Sequence, residues 1–536
     1  MKYTKSKAGI ILIFFVALLV NIYFGYQKQG FHEDEYYTYF SSNRSIGLYQ
    51  PDREWQDRQT IHDEFAVKPG EGFNYGLVKL VQSWDVHPPF YYYIFHTICS
   101  FFPDSFTKWS GLITNLLAFT AAFFIFVRLM KELQVSEGLR LIILAFWALN
   151  PQTISCNLLI RMYAWLTVFV LACAYFHVRM IKEIDAKEDK LSIGRFAVMG
   201  LFPIGIVSFL GFLTQYFYLF FFVPTGFAFA IWLFFMKKDI KKSVLYVVSC
   251  AFSLGLAVLY YPASVHHILG GYRGNEATES FLDIGNTTMR LSFFTGLFND
   301  FVLSGCLYII LIVIVFAIVV SLVMRRKGND ILPDSNAGIN TAFVIVTFGA
   351  LCYFILTSKA GLLVGRASNR YEMPIYGLLS MLLFVLANKY LNRLGRLLNP
   401  VIAAAALFVL VKGLFFSDNV LFLYPEDAEK IQYARENAEE TAVVMFNPAT
   451  PHNVWRLTDE LLEYDKVFYM DEENLNEIAK AELSDLGLSG ADKIILYAAD
   501  DDIQEESIKN LISSTGMRDI KPLFVEDMWK SYVLTK

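Results

Sequence analysis

Long apolar runs, separated by short polar segments, recur along the chain from its N-terminus to about residue 416. Most runs approach the ~20 apolar residues that a helix needs to cross the hydrocarbon core of a bilayer. The pattern therefore predicts a polytopic α-helical membrane protein with eleven spanning helices, near residues 8–26, 108–127, 140–157, 163–180, 196–214, 217–236, 243–261, 303–323, 339–357, 373–388 and 400–416.

The composition agrees with this pattern, since 55% of the 536 residues are hydrophobic and 18% are charged. This balance excludes a soluble enzyme, a disordered chain and a nucleic-acid-binding protein. The first apolar run follows the basic stretch MKYTKSK, and no small-residue cleavage site follows it. It is therefore predicted to be a retained helix with a cytoplasmic N-terminus rather than a signal peptide.

Lys and Arg residues support this topology, because they concentrate on the cytoplasmic loops of membrane proteins. In the eleven-helix arrangement, 21 basic residues lie on cytoplasmic segments. The loops on the opposite side after the second helix hold only six, which are Arg161, Arg273, Arg290, Lys359, Arg366 and Arg370.

No eukaryotic lumenal domain is recognisable in the sequence, which favours a bacterial plasma membrane.

The segment HPPFYYYIFHTICSFF, residues 87–102, is apolar but short. Counting it as a span would invert every later loop and place the basic clusters outside. It is therefore predicted to be an interfacial or re-entrant helix on the outer face.

Two large extracytoplasmic regions follow from this topology. We predict a membrane domain over residues 1–416 that carries an outer loop over 27–107, and a small α/β domain over 417–536. Residues 426–536 hold 25 acidic and 11 basic residues, so this second domain is acidic. Its short β-rich runs at 441–446, 466–470 and 493–498 alternate with helical patterns, which is typical of an α/β sheet.

Three carboxylates, Glu33, Asp34 and Glu35, follow the first helix in the stretch FHEDEYYTYF. Carboxylates at the point where a helix meets the lipid interface cost solvation free energy unless the protein uses them. They are candidates for acid–base chemistry. The alternative is that they mark the solvated start of a loop.

The same loop closes on SWDVHPPFYYY, which contains Asp85 and His87. Two consecutive prolines disfavour helix before them, so both side chains are predicted to lie on a rigid, non-helical turn. Such a pair could orient an acceptor or bind phosphate or a metal. The alternative is an ordinary helix start with Pro in its first turn.

Arginines complete the charged set on the outer face. Arg161 lies between two apolar runs without an obvious loop, where a cation is costly unless it reaches water or an anion. Arg366 and Arg370 share one loop with Lys359, and guanidinium groups bind phosphate in a bidentate manner. The alternative is that these side chains anchor the protein to lipid headgroups.

The order of these motifs resembles the GT-C glycosyltransferases, in particular bacterial relatives of protein O-mannosyltransferases and aminoarabinose transferases. The motifs are the acidic DE pair after the first helix, HPP-aromatic at the end of the first outer loop, R-x-Y at Arg161 and Tyr163, and RY-x-x-P beginning at Arg370. The similarity covers roughly residues 1–416 and does not extend to the acidic tail.

This resemblance implies an inverting transfer from a polyprenyl-phosphate-linked sugar to a protein, lipid or cell-wall glycan on the non-cytoplasmic face. Asp34 would be the catalytic base, with Glu35 beside it. Because Glu33 extends the pair to EDE, the assignment of the base to Asp34 could be wrong by one residue. Some GT-C enzymes bind a divalent metal, but this sequence shows no clear metal site. The remaining positions would bind the donor phosphate or the acceptor, namely Asp85, His87, Arg161, Tyr163, Arg366 and Arg370.

Two other functions compete with the transferase. A transporter or flippase for lipid-linked saccharides would place charged residues near the middle of the bilayer and show paired broken helices. Here the centres of the predicted spans lack such charges, since Lys412 lies near the outer end of the last one. A receptor or assembly factor whose tail binds partners is the third hypothesis.

Overall fold

The computed structural model describes residues 2–44, 51–186, 191–326, 340–391, 398–472, 486–526 and 528–536. The chain divides into two compact units. One, called the membrane unit below, comprises Met1–Tyr26, Gln82–Ile94 and Gly111–Leu421. The other, called the sheet unit, comprises Gln27–Val81, Phe95–Ser110 and Phe422–Lys536.

Long apolar helices dominate the membrane unit, and the chain is a multi-pass membrane protein. Within the described residues, eight helices are long and apolar enough to cross a membrane, or up to ten if each of two bent pairs counts as one span. The eight are Lys7–Gln27, Lys108–Glu132, Tyr163–Ala186, Ile193–Thr214, Tyr218–Met236, Ile240–Tyr260, Thr341–Ala360 and Met373–Tyr390.

One predicted span is bent, and another is preceded by a sharp bend. The run at 140–157 forms helices Glu137–Ala148 and Pro151–Leu158, which meet at 48°. The bend arises because Asn150 caps the second helix and Pro151 stands at its start, where its missing N–H costs nothing. The span predicted at 303–323 begins at Leu307, and the helical stretch Ile284–Val302 before it lies at 95° to it.

Shorter helices connect these spans. The helix in segment 87–102 is Phe90–Ser100, whose 11 residues are too few to cross a bilayer. The last predicted span corresponds to helix Leu398–Phe415. The helix of the span predicted at 303–323 is Leu307–Arg326. The other helices outside the sheet are Glu33–Asn43, Arg58–Asp63, Tyr75–Gln82, Ala263–Leu269, Tyr272–Leu282 and Thr287–Leu297, with 3-10 turns at Ile284–Asn286, Gly365–Tyr371 and Met373–Ile375.

A six-stranded mixed sheet forms the centre of the sheet unit, in the order β1-β3-β2-β4-β6-β5. Strand β2 pairs in parallel with β3 and β4, whereas the pairs β1–β3, β4–β6 and β5–β6 are antiparallel. The predicted strands at 441–446, 466–470 and 493–498 are β2, β3 and β4. The bounds are Glu54–Asp57 (β1), Thr441–Phe446 (β2), Lys466–Asp471 (β3), Lys493–Ala499 (β4), Asp519–Glu526 (β5) and Trp529–Thr535 (β6).

Both faces of this sheet are covered, as expected for its central parallel strands. Along β2, Ala442, Val444 and Phe446 contribute to one core, while Val443 and Met445 contribute to the other. The first core includes Ala434 of helix Asp427–Glu436, and the second includes Leu511 of helix Gln504–Thr515. The short helical segments of the tail are Pro451–Leu457, Thr458–Leu461 and Leu488–Gly490.

The compact units are divided differently from the domains predicted at residues 1–416 and 417–536. Much of the loop over 27–107 belongs to the sheet unit, because its strand β1 pairs with β3 of the tail, with Glu54 opposite Tyr469. Sequence analysis did not predict this strand, because its sequence EWQD carries no run of β-branched residues. The pairing of β1 with β3 joins segments about 400 residues apart, so it leaves no local pattern in the sequence.

Candidate active site

The acidic stretch after the first helix forms the start of helix Glu33–Asn43 in the sheet unit. His32 is its N-cap and accepts a hydrogen bond through Nδ1 from the backbone N–H of Asp34, at 3.1 Å. The Glu35 carboxylate accepts from the backbone N–H of His32 at 2.5 Å, which completes a capping box. These two hydrogen bonds together fix the first helical turn, which carries Asp34.

The adjacent carboxylates have different environments. Glu35 is fully buried and forms an ion pair with the equally buried Lys28, with 2.9 Å between Nζ and Oε2. The Asp34 side chain instead remains 27% exposed. Glu35, predicted to lie beside the base, is thus engaged in holding the turn, while the Asp34 carboxylate is partly exposed.

Breaking the Lys28–Glu35 pair on one side should destabilise the protein strongly. In Lys28→Met a buried carboxylate loses its cation, and such changes typically cost about 3–5 kcal/mol. Lys28→Met/Glu35→Gln should regain much of this loss, because the amide oxygen that the second substitution introduces can still cap His32. Thermal unfolding of the purified variants measures both effects. An unchanged melting temperature for Lys28→Met alone would show that the pair does not hold the turn.

Residues of the tail pack against helix Glu33–Asn43, which is called the acidic helix below. Sequence analysis did not predict these contacts. The Tyr36 hydroxyl donates to the Asp459 carboxylate at 3.1 Å. The Trp455 ring lies 5.1 Å from that of Tyr37 and 4.5 Å from that of Phe40. These tail residues belong to a stretch, PHNVWRLTDE, that reads as an ordinary short helix and gives no sign of its long-range partners.

Asp459 should make stability depend on pH. Burial raises the pKa of its carboxyl to about 7, against the lowering effects of Tyr36, Arg456 and Lys28, and with a further increase from Asp427. Because the folded protein then binds a proton more tightly than the unfolded chain, this contribution is present at low pH and is lost as pH rises from about 4 to 7.

Asp459→Asn removes this titration while keeping an acceptor for Tyr36. We therefore expect the melting temperature of Asp459→Asn to fall less than that of the wild type between pH 5 and pH 8. Glu64, whose pKa burial also raises to about 7, remains in both proteins and provides a common background. If the melting temperatures of the two proteins fell equally with rising pH, Asp459 would not be the source of this pH dependence.

Three of the predicted residues come together in the membrane unit. The Asp85 carboxylate lies 3.2 Å from His87 Nδ1, and His87 Nε2 lies 3.2 Å from an Nη atom of Arg161. The other Nη atom of Arg161 donates to the Tyr92 hydroxyl at 3.1 Å. Arg161 lies in the break between helices Pro151–Leu158 and Tyr163–Ala186 and is 3% exposed.

The hydrogen bonds fix the tautomer of His87. Arg161 can only donate, so His87 Nε2 accepts, and its Nδ1–H donates to Asp85. Burial alone would raise the pKa of the Asp85 carboxyl, but His87 and the charge of Arg161 hold it below its usual range. The result is a carboxylate, an imidazole and a guanidinium in one hydrogen-bonded row.

Tyr163 and Arg370 form a second group in the membrane unit. The Tyr163 ring meets the Tyr371 ring edge-on, with 5.9 Å between centroids. Arg370 is 6% exposed, lies 5.1 Å from the centre of the same Tyr371 ring and donates to its hydroxyl at 3.3 Å. The R-x-Y and RY-x-x-P motifs are therefore joined through Tyr371.

Arg366 and Lys359 have different environments. Arg366 is exposed, lies 5.0 Å from the centre of the Phe301 ring and donates to the backbone carbonyl of Asp418. Lys359 is buried and donates to oxygens of Asp283, Asn286 and Thr287. Lys359 thus has a structural role, and Arg366 is the least constrained of the predicted arginines.

A divalent metal, which the family resemblance leaves open, has one possible group of ligands in the described part of the chain. Glu35 is already paired with Lys28. The one His, Cys, Asp or Glu group with suitable spacing there is His62, Asp63 and Asp104. The Lys68 ammonium lies 2.6 Å from the Asp63 carboxylate, and the Gln59 amide donates to both aspartates. Cationic and amide donors therefore already contact the carboxylates of this group.

Comparison with known proteins finds similarity in three dimensions only, since no family model and no curated sequence matches the chain. The chain is similar to ArnT from Cupriavidus metallidurans bound to undecaprenyl phosphate, with a TM-score of 0.49 and 12% identity over 98% of this chain and 97% of that one. It is also similar to the oligosaccharyltransferase AglB from Archaeoglobus fulgidus in complex with an inhibitory peptide and a dolichol-phosphate, with a TM-score of 0.48 and 12% identity over 95% of this chain and 71% of that one.

Both of these proteins are glycosyltransferases of the GT-C fold, the class that the motif order resembles. A second structure of the Archaeoglobus enzyme, in complex with Zn and sulfate, matches with a TM-score of 0.45 and 12% identity over 90% of this chain and 67% of that one. At this identity, and with TM-scores below 0.5, the matches transfer neither an activity nor a residue role.

Proposed function

We propose that the protein is a membrane glycosyltransferase that moves a sugar from a polyprenyl-phosphate-linked donor to an acceptor on the non-cytoplasmic face of the membrane. The observation that carries the proposal is the row Asp85–His87–Arg161, which holds a buried guanidinium in place between two membrane helices. A fixed cation in a low-dielectric environment is suited to an anionic leaving group such as a lipid phosphate.

The chemistry is a single displacement with inversion at the anomeric carbon. Asp34 takes the proton from the acceptor hydroxyl as its oxygen attacks that carbon. The bond between the anomeric carbon and the phosphate oxygen breaks, and its electron pair leaves with the polyprenyl phosphate. Arg161 stabilises the negative charge that develops on this phosphate.

The other candidate residues support these two roles. Asp85 and His87 are assigned to orient Arg161, since His87 accepts one of its hydrogen bonds. Arg370 and Tyr163, joined through Tyr371, provide a second cation and a hydroxyl for the donor phosphate or the acceptor. Arg366, exposed and bonded to a backbone carbonyl, is assigned a minor role in binding.

The partners follow from this assignment. The donor is a polyprenyl-phosphate sugar in the bilayer, and the acceptor is a protein, lipid or cell-wall glycan. A bacterial plasma membrane, with the sheet unit outside the cytoplasm, would place the acidic helix where such acceptors occur.

The test is a donor panel. The full-length protein, purified in detergent, is incubated with radiolabelled polyprenyl-phosphate sugars and membrane extract as the acceptor, and loss of label from the lipid is followed. We expect turnover with one donor. In detergent there are no compartments, so a transporter would leave every donor chemically intact. That outcome, with a folded protein, would favour the transporter over the transferase.

A further inference from the structure

An apolar turn joins helix Tyr272–Leu282 to helix Thr287–Leu297 in the membrane unit, in a stretch that hydropathy assigned to an extracytoplasmic loop. Its side chains Leu282, Ile284 and Met289 are 77%, 85% and 53% exposed. Within one short segment this is a concentration of large apolar side chains that water solvates poorly. The group Leu282, Ile284 and Met289 is called the apolar turn below.

The apolar turn is fastened to the end of a membrane helix. Lys359, in the last turn of helix Thr341–Ala360, donates through Nζ to the carbonyl of Asp283 at 2.8 Å and to Thr287 Oγ1 at 3.2 Å, and it also donates to Asn286 Oδ1. The Ser280 hydroxyl returns a hydrogen bond to the Lys359 carbonyl at 2.7 Å. These bonds occupy the polar groups of the turn and leave its apolar side chains exposed.

A second clamp follows the turn. Arg290 Nε donates to the carbonyl of Ser358 at 2.9 Å, and an Nη atom of Arg290 donates to the carbonyl of Gly361. The last carbonyls of a helix lack partners within the helix, so the arginine also caps helix Thr341–Ala360. The position of the turn relative to this helix is thereby fixed.

The helix to which the turn is fastened has an exposed apolar face. Helix Thr341–Ala360 exposes Val344, Phe348, Leu351 and Ile355 by 43–56%, at the spacing of one helix face. This helix has the length and composition of a membrane span, so its end at Lys359 lies at the membrane boundary. The apolar turn is attached at that boundary.

The direction of the following helix agrees with this position. The helical stretch Ile284–Val302 lies at 95° to Leu307–Val320, with which the next membrane-length helix begins. If that helix crosses the bilayer, Ile284–Val302 runs along the membrane surface. A helix in this orientation that carries apolar side chains beside polar ones is typical of an interfacial element.

We propose that the apolar turn inserts into the lipid at the boundary between headgroups and acyl chains, and that Ile284–Val302 lies in the plane of the membrane. The occupant of this exposed surface is the bilayer itself. Lys359 and Arg290 hold the turn at the depth where helix Thr341–Ala360 ends. This inference does not depend on the proposed transferase activity.

Site-specific fluorescence tests the depth of the turn. The three half-buried cysteines Cys250, Cys306 and Cys352 are replaced, and single cysteines at Leu282, Ile284 and Met289 are labelled with a polarity-sensitive dye. The labelled full-length proteins are placed in lipid nanodiscs that contain nitroxide lipids, with the nitroxide near the headgroup or deep in the acyl chain. Phe316, 68% exposed on a membrane-length helix, and Val525, 73% exposed on strand β5, provide the lipid and water controls.

We expect blue-shifted emission at all three turn positions relative to Val525, with stronger quenching by the shallow nitroxide than by the deep one. Emission like that at Val525, quenched by aqueous iodide and by neither nitroxide lipid, would overturn the proposal. Stronger quenching by the deep nitroxide, as at Phe316, would also overturn it, because the segment would then be re-entrant rather than interfacial.

Discussion

Replacing Asp34 by Asn is expected to lower the rate of sugar transfer by about 10²–10⁴-fold, the range that a positioned general base contributes. The substitution removes the group that takes the acceptor proton. It preserves the side chain's size and leaves the His32–Glu35 capping box intact, since that box uses the Asp34 backbone N–H. The fall should therefore appear in kcat, with an unchanged melting temperature.

Glu33→Gln is the matched control, because it removes a neighbouring carboxylate from the same helical turn. The variant should keep nearly full activity if Asp34 is the base. If Glu33→Gln were inactive and Asp34→Asn active, the base would be Glu33, one residue earlier in the EDE run. Glu35→Gln should affect stability more than chemistry, since Glu35 is buried against Lys28.

Replacing Arg161 by Met is expected to lower kcat/KM by about 10²–10³-fold, similar to the loss of one preorganised donor at a developing negative charge. The variant loses the hydrogen bonds to His87 and Tyr92 together with the cation. Arg161→Lys should recover part of the activity, since it restores a point charge without the planar pair of donors. Steady-state kinetics with the preferred donor measures both.

Arg366→Gln controls for a general loss of positive charge. Arg366 is exposed and bonds to a backbone carbonyl, so its removal should change kcat/KM only slightly. Equal losses in Arg161→Met and Arg366→Gln would indicate headgroup anchoring by both arginines rather than stabilisation of a leaving group by Arg161.

The spans and the central strands could be predicted because their causes are local. An apolar run such as 163–180 or a β-rich run such as 441–446 encodes its own helix or strand. The bends escaped prediction, since they depend on single positions such as Pro151 and on Gly305, whose φ of +82° turns the chain before Leu307. The pairing of β1 with β3 joins distant segments, and only the folded chain brings them together.

The candidate site was accessible to sequence analysis in part. Runs such as EDE and HPP stand out because charge or proline is unusual beside a membrane helix. Lys28 and Asp459 were missed because each looks ordinary in its own segment, and their significance arises from burial beside Glu35 and Tyr36. The row Asp85–His87–Arg161 was predicted as separate residues, and its hydrogen bonds required the structure.

The most direct test of the account is the amount of free polyprenyl phosphate that the purified protein releases from its donor in detergent, compared between the wild type and Asp34→Asn. The account predicts release by the wild type that depends on the acceptor and equals the sugar transferred, with Asp34→Asn folded but nearly inactive. Release at the wild-type rate by Asp34→Asn would contradict the role of the acidic helix. No release by the wild type with any donor would contradict the transferase itself.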